Sequence, residues 1–168
     1  RALSFLPLCH IFERAVSLAY IYIGAQVTFS SIETLSETLQ SVRPNFFSTV
    51  PRLLEKIYER IMEKGNSLSF PQKQIFRWSM SMTEKFEFDK TYSLSDKIKI
   101  AIANSIVFKK WRVALGGQIQ EILVGAAPLN SKIMRAFNLA GIALRGDAAQ
   151  LLPILFPTQY PQMDNQAL

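Results

Sequence analysis

Thiol and imidazole are nearly absent from this sequence: its 168 residues include one cysteine, Cys9, and one histidine, His10. A single cysteine excludes an intramolecular disulfide, and the pair cannot supply the ligands of a Cys/His zinc cage. So little thiol chemistry fits a reducing, cytosolic compartment. The Cys9–His10 neighbours do not read as a catalytic dyad, because adjacent side chains diverge. Neither G-x-G-x-x-G nor G-x-x-x-x-G-K-[ST] occurs, so the usual dinucleotide and phosphate loops are missing, and without G-x-S-x-G there is no serine-hydrolase elbow. The longest near-continuous apolar run, Ala15 to Val27, falls short of the ~20 residues that cross a bilayer and reads as a buried helix. Nor does the sequence open with the basic, apolar and small-residue regions of a secretory leader.

What is present is apolar material, 49% of the residues, enough to bury one core in one domain. The net charge of +6 has a single origin: Arg52 to Arg112 holds thirteen Lys/Arg against seven Asp/Glu, and the remainder has six of each. Such a segment suits an anionic membrane, nucleic acid or a phosphate-rich ligand, or is simply a solvated helical face.

The periodicity alternates between strand and helix. Ala2–Leu6 is a short apolar strand stopped by Pro7. Ile11–Ile23 is too densely apolar for a surface helix and ends at Gly24. Gln26–Phe29 is a β-branched strand. Ser30 and Ser31 offer caps for a helix Ile32–Val42, in which Ile32, Leu35 and Leu39 recur at helical spacing. Asn45–Val50 is a third strand, and Pro51 suits the first turn of a helix striped by Leu53, Leu54, Ile57, Tyr58 and Ile61. A charged helical insertion from Gly65 to Leu115 follows, with a helix start at Ser93 and Ile98, Ile102 and Ile106 along one face. Strand Ile119–Val124, helix Ser131–Leu139 and strand Ile142–Leu144 resume the alternation. The pattern predicts an α/β fold with a mainly parallel sheet flanked by helices. After Arg145, prolines at 153, 157 and 161 break any helix, and the tail reads as irregular.

Ligands of open α/β sheets gather at the carboxyl ends of the strands. Two loops there stand out. Pro7 to His10 places the one imidazole at a strand end, where it serves either as a packed side chain or as a ligand-facing one. In "LVGAAPLNSK", Leu123 to Lys132, small residues allow a flat ligand close to the backbone, or simply make a tight turn, and Asn130 can cap the next helix.

These residues resemble a known family. "LSFLPLCHIFERAVSLAYIYIGAQVTF" is similar to the L-P-L-x-H-x-F-E segment of the long-chain fatty acyl-CoA synthetases, which are AMP-forming acyl-adenylating enzymes. "LQSVRPNFFSTVPRLLEKIYERI" is similar to their R-P-T-x-x-x-x-V-P-R-x-x-E-K-I stretch. "ALGGQIQEILVGAAPLNSKIMRAFNLAGI" is similar to their A-L-G-G-x-I-x-x-x-x-x-G-A-A-P-L segment. Order and spacing agree over about 145 residues, far more specific than any one motif.

The resemblance implies that residues 1–145 are part of the large N-terminal adenylation domain, with a basic helical insertion at about 65–115 and a departing tail at 146–168. It implies that Gly125, Ala126, Ala127 and Pro128 line the adenine, and that His10 stands by the acyl carboxylate and the adenylate phosphate. Thr49, Val50 and Pro51 would lie by the acyl channel. The implied reaction uses ATP, magnesium and coenzyme A to convert a fatty acid to acyl-AMP and then acyl-CoA. The phosphate loop would precede Arg1, and the magnesium ligands would lie outside this segment. The family's G-Y-G-x-T-E is replaced by "GDAAQLL", as a truncated or frame-shifted reading of a longer gene would leave it; the flanking DNA tests that. The segment alone is then expected to be inactive.

The competing reading is a non-catalytic α/β binding module that contacts a membrane surface or nucleic acid through the basic middle segment. Phe76-Arg77-Trp78 and Lys109-Lys110-Trp111-Arg112 carry that reading, although both tryptophans fit equally as helix anchors. Under the family reading no nucleic acid is expected. The enzyme is expected to be cytoplasmic with peripheral membrane contact, since its substrate partitions into bilayers.

Overall fold

The computed structural model describes residues 1–84, 86, 92–125 and 127–146. The predicted tail beyond Gly146 and the predicted site residue Ala126 lie outside the described residues. Five short strands, β1 (Ala2–Ser4), β2 (Val27–Phe29), β3 (Phe46–Thr49), β4 (Glu121–Val124) and β5 (Ala143–Arg145), form one parallel sheet in the order β2-β1-β3-β4-β5. Helices α1 (Ile11–Tyr22) and α2 (Leu35–Val42) make the first two crossovers. Between β3 and β4 run α3 (Pro51–Asn66), α4 (Phe70–Glu84), α5 (Leu94–Ala103), a π-helical turn Asn104–Phe108, and α6 (Lys109–Ala114). Helix α7 (Ser131–Leu139) joins β4 to β5.

Alternate residues along a strand face opposite sides of a sheet. Leu3, Phe47, Ile122 and Leu144 enter the larger core, built against α2 to α7. Ala2 and Leu123 face the other way, onto Val16 and Tyr20 of α1. Trp111 anchors the insertion within the larger core, edge-on to Phe108, Phe137 and Tyr58 at centroid distances of 5.2, 5.7 and 6.5 Å. Arg112 adds a polar clamp. Its Nη1 donates to Asn104 Oδ1 at 2.9 Å and to the Ala140 carbonyl, while Asn104 Nδ2 donates to the Leu139 carbonyl at 3.1 Å. These bonds fasten the π turn to the end of α7. Gly116, at φ +94°, turns the chain toward β4 where a Cβ would stand 2.3 Å from the Leu39 carbonyl oxygen.

The structure corrects several expectations. Helix α1 is not largely buried: Ile11, Leu18, Ile21 and Tyr22 are exposed, because among the described residues α1 alone covers its side of the sheet and buries only one face. The second helix begins at Leu35 rather than Ile32, and Ile32 is exposed. Ser30 does not cap it; the Ser30 hydroxyl instead bonds those of Thr34 and Thr38 at 3.0 and 2.9 Å. The Ile98, Ile102 and Ile106 stripe faces outward, while Ala103, Val107 and Phe108 turn inward. All five strands differ by one or two residues from their expected limits, where the ladder hydrogen bonds begin or stop. Pro51 at the start of α3, Ser93 capping α5 and Asn130 capping α7 stand as expected; the Ser93 hydroxyl accepts from Asp96 N at 3.3 Å and Asn130 Oδ1 from Lys132 N at 2.9 Å.

Candidate functional site

The strand order reverses between β1 and β3: β1 leads outward to β2, and the chain then returns past β1 to β3. Such a switch point leaves a crevice at the carboxyl ends of the two strands, because their helices depart on opposite faces. The loops that the sequence singles out all end here.

The first loop leaves β1 through Phe5 and turns at Pro7, whose carbonyl accepts from His10 N at 3.1 Å. Arg14 Nε reaches back to the Leu8 carbonyl at 3.1 Å and ties the loop to its helix. His10 is the N-cap of α1 with extended backbone (φ −80°, ψ 134°), yet its side chain caps nothing and is exposed. The imidazole is therefore free beside the amide-rich end of a twelve-residue helix, a place that favours anions.

The second loop joins β3 to α3. Thr49 is fully buried and its Oγ1 has no hydrogen-bond partner among the described residues; Val50 is half-buried and Pro51 buried. The third loop leaves β4. Gly125 N donates to the Thr49 carbonyl at 3.0 Å, which extends the β3–β4 pairing by one step. A Cβ on Gly125 would fall 2.3 Å from the Phe12 ring, so this glycine is required for contact and not for backbone freedom. Ala127 and Pro128 are exposed on the rim.

Phe12, Gly125 and Thr49 thus bring the three loops into one place. His10 sits at the edge of that place with no hydrogen bond to the other loops among the described residues. Two residues that pattern reading passed over also belong here. Phe12 is the aromatic lid on Gly125, and Glu13 is a buried carboxylate that accepts from the Ser4 and Ser48 hydroxyls, each at 2.5 Å. Their signal was present: both fall within the H-x-F-E string, and Glu13 interrupts an apolar helix face. Burial pushes the Tyr20 hydroxyl well above the ordinary tyrosine range, and the Glu13 and Glu121 carboxylates add to the shift, so this buried phenol stays neutral.

The sequence matches the AMP-binding enzyme family over residues 1–146. The chain belongs to that family. It is 36% identical over 134 residues to long chain acyl-CoA synthetase 3 of Arabidopsis thaliana, a match covering 78% of this chain and 20% of that protein. It is 30% identical over 142 residues to long-chain-fatty-acid–CoA ligase 1 of Homo sapiens, covering 82% and 19% respectively. Among solved structures, the adenylation domain of a carboxylate reductase from Mycobacterium chelonae shares the fold at a TM-score of 0.55 and 17% identity, over 86% of this chain and 19% of that one. An adenylation–carrier didomain of carboxylic acid reductase from Segniliparus rugosus, solved with AMP, also scores 0.55, at 19% identity over 86% and 17%. The chain spans about a fifth of the length of the curated relatives it matches.

The Phe12–Gly125 contact predicts a specific coupling. Gly125→Ala should destabilise the fold by about 1–3 kcal/mol through overpacking. With Phe12→Ala in the same chain the added methyl gains room, so the double variant should lose less stability than the two singles together. Urea unfolding midpoints of the four proteins measure this; strict additivity would mean that the two loops do not touch.

Proposed function

We propose that the enzyme containing this chain activates long-chain fatty acids to acyl-CoA. ATP and the fatty acid come first: a carboxylate oxygen attacks the α-phosphorus, the bond to the β-phosphate oxygen breaks, and pyrophosphate departs. The thiol of coenzyme A then adds to the acyl carbonyl, gives up its proton, and AMP leaves. In this reading Gly125, Ala126, Ala127 and Pro128 lie along the adenine, where small side chains admit a flat ring. His10 orients the carboxylate and the adenylate phosphate by hydrogen bonding from an exposed imidazole, and Thr49, Val50 and Pro51 border the acyl chain. The observation that carries the proposal is the meeting of the loops after β1, β3 and β4 through Phe12, Gly125 and Thr49 at the switch point. Family membership supports the use of ATP. Magnesium has no evident holder here: among the described residues no group of three or more His, Cys, Asp or Glu side chains is placed to bind an ion, and no step is assigned to one.

We also propose that the enzyme is cytoplasmic and works against a membrane surface. No described helix is long and apolar enough to cross a bilayer. Leu94, Ile98, Ile102 and Ile106 instead form an exposed ridge beside the exposed Lys97, Lys99, Lys109 and Lys110, a combination that suits an anionic interface. Trp111 is spent in the core, so the Lys-Lys-Trp-Arg string offers no stacking platform from that ring. The protein should sediment with phosphatidylserine-containing vesicles at low salt, and Lys97→Glu with Lys109→Glu should weaken this. Equal binding to neutral vesicles would contradict the surface proposed.

For the chemistry, His10→Ala in the intact ligase should lower kcat/KM for acyl-AMP formation by roughly 10²–10⁴-fold with little change in Tm. Pyrophosphate release and thermal unfolding, measured on one preparation, test it. Normal turnover beside a destabilised fold would make His10 a packing residue.

A further inference from the structure

The carboxylate of Glu13 is wholly buried, and the proposed chemistry gives it no task. It occupies the third position of α1, where a glutamate ordinarily folds back to the amide of the N-cap residue. Here that amide, His10 N–H, already donates to the Pro7 carbonyl at 3.1 Å, so the side chain is released inward. One oxygen accepts from Ser4 Oγ on β1 and the other from Ser48 Oγ on β3, each at 2.5 Å. Ser17 Oγ of α1 adds a bond to Ser4 Oγ at 3.2 Å. Direct pairing of β1 with β3 runs through Ala2–Phe46 and Leu3–Phe47 only. One step further in that register stand Ser4 and Ser48, and Glu13 joins them. The carboxylate thus closes the sheet at the switch point, where the strands begin to separate.

No cation faces Glu13 among the described residues, whose ion pairs are Lys99–Asp96 and Arg145–Glu121. A buried carboxylate without a counter-ion costs more than an apolar side chain of like size, so packing alone gives no reason for it. What it provides is direction. Glu13 fixes the first turn of α1 to two strands, the adjacent Phe12 ring presses on Gly125, and Arg14 holds the Leu8 carbonyl. Three consecutive side chains therefore tie that turn to β1 and β3, to the β4 loop, and to the loop that carries His10.

We propose that Glu13 is a positioning residue for adenylation: its bridge between Ser4 and Ser48 sets the first turn of α1 and with it the place of His10 relative to Gly125. The inference rests on the site reading given above. It is tested in the intact ligase with Glu13→Ala, Glu13→Gln and Ser48→Ala, measuring Tm together with kcat and KM for ATP and fatty acid. Misplacing a reacting group by an ångström costs on the order of 10²-fold. Glu13→Ala should accordingly lower kcat per folded molecule by about 10–100-fold, with the KM for ATP within about twofold of wild type. Glu13→Gln should restore most of that loss, since its amide oxygen can accept from one serine and its NH₂ donate to the other. If Glu13→Ala fails to fold, Ser48→Ala removes one arm of the bridge and should lower kcat by about 3–10-fold. Full kcat per folded molecule in Glu13→Ala, or in Ser48→Ala where only that variant folds, overturns the inference. A wild-type ligase that forms no acyl-adenylate removes the site reading, and this inference falls with it. An active wild type beside an unimpaired Glu13 variant overturns this inference alone.

Discussion

The pairing of β1 with β3 is the constraint from which the rest of the architecture follows. These two strands share only two register pairs before they part, and the chain leaves them toward opposite faces of the sheet. Among the described residues, the sheet order, the single helix on one face and the crowded helical layer on the other all stem from that reversal. So does the site. A crevice opens at a switch point because no helix can lie over it from both sides, and three loops then share its rim. The pairing is short, and the polar bridge of Ser4, Glu13 and Ser48 extends it to the point where the loops begin.

Much of this was legible from the sequence, for particular reasons. Proline at 51 and asparagine at 130 announce helix starts through local chemistry that tertiary contacts do not overrule. The loops after β1 and β4 stand out by composition, and the topology starts both at the carboxyl end of the parallel sheet. What escaped reading is what depends on a partner distant in the chain. Ile11, Leu18, Ile21 and Tyr22 make α1 read as buried, but burial depends on how many elements cover a face. Nothing local shows that Ile98 and Ile102 face outward while Phe108 and Trp111 carry the packing. Gly125 reads as a small residue in a strand-to-helix loop, and nothing local shows that Phe12, 113 positions earlier in the numbering, packs against it. Glu13 is the clearest case. Its charge suggests solvent, and only the fold brings Ser48 to it.

The two faces of the sheet also differ in how their polar groups are satisfied. On the helical side the insertion is fixed by aromatic edges around Trp111 and by the Arg112–Asn104 clamp. On the side of α1 the core is small, and its interior holds a carboxylate, two serines beside it, and the unpartnered Tyr20 hydroxyl. Polar groups in a small core tolerate few alternative arrangements, which suits a layer that sets orientation more than bulk stability. The exposed apolar and basic ridge that begins on α5 lies on the helical side, so the proposed membrane contact and the proposed nucleotide site would draw on separate surfaces of one chain.

The central claim is that the loops after β1, β3 and β4 form one adenylate-binding site. Its most direct test is photolabelling of the intact enzyme with a non-hydrolysable acyl-adenylate mimic that carries a photoreactive group, followed by mass-spectrometric mapping of the labelled peptides. The account predicts labels within residues 8–12 and 125–130, displaced by excess unlabelled mimic. Displaceable labels confined to the helices between Arg52 and Arg112 would contradict it.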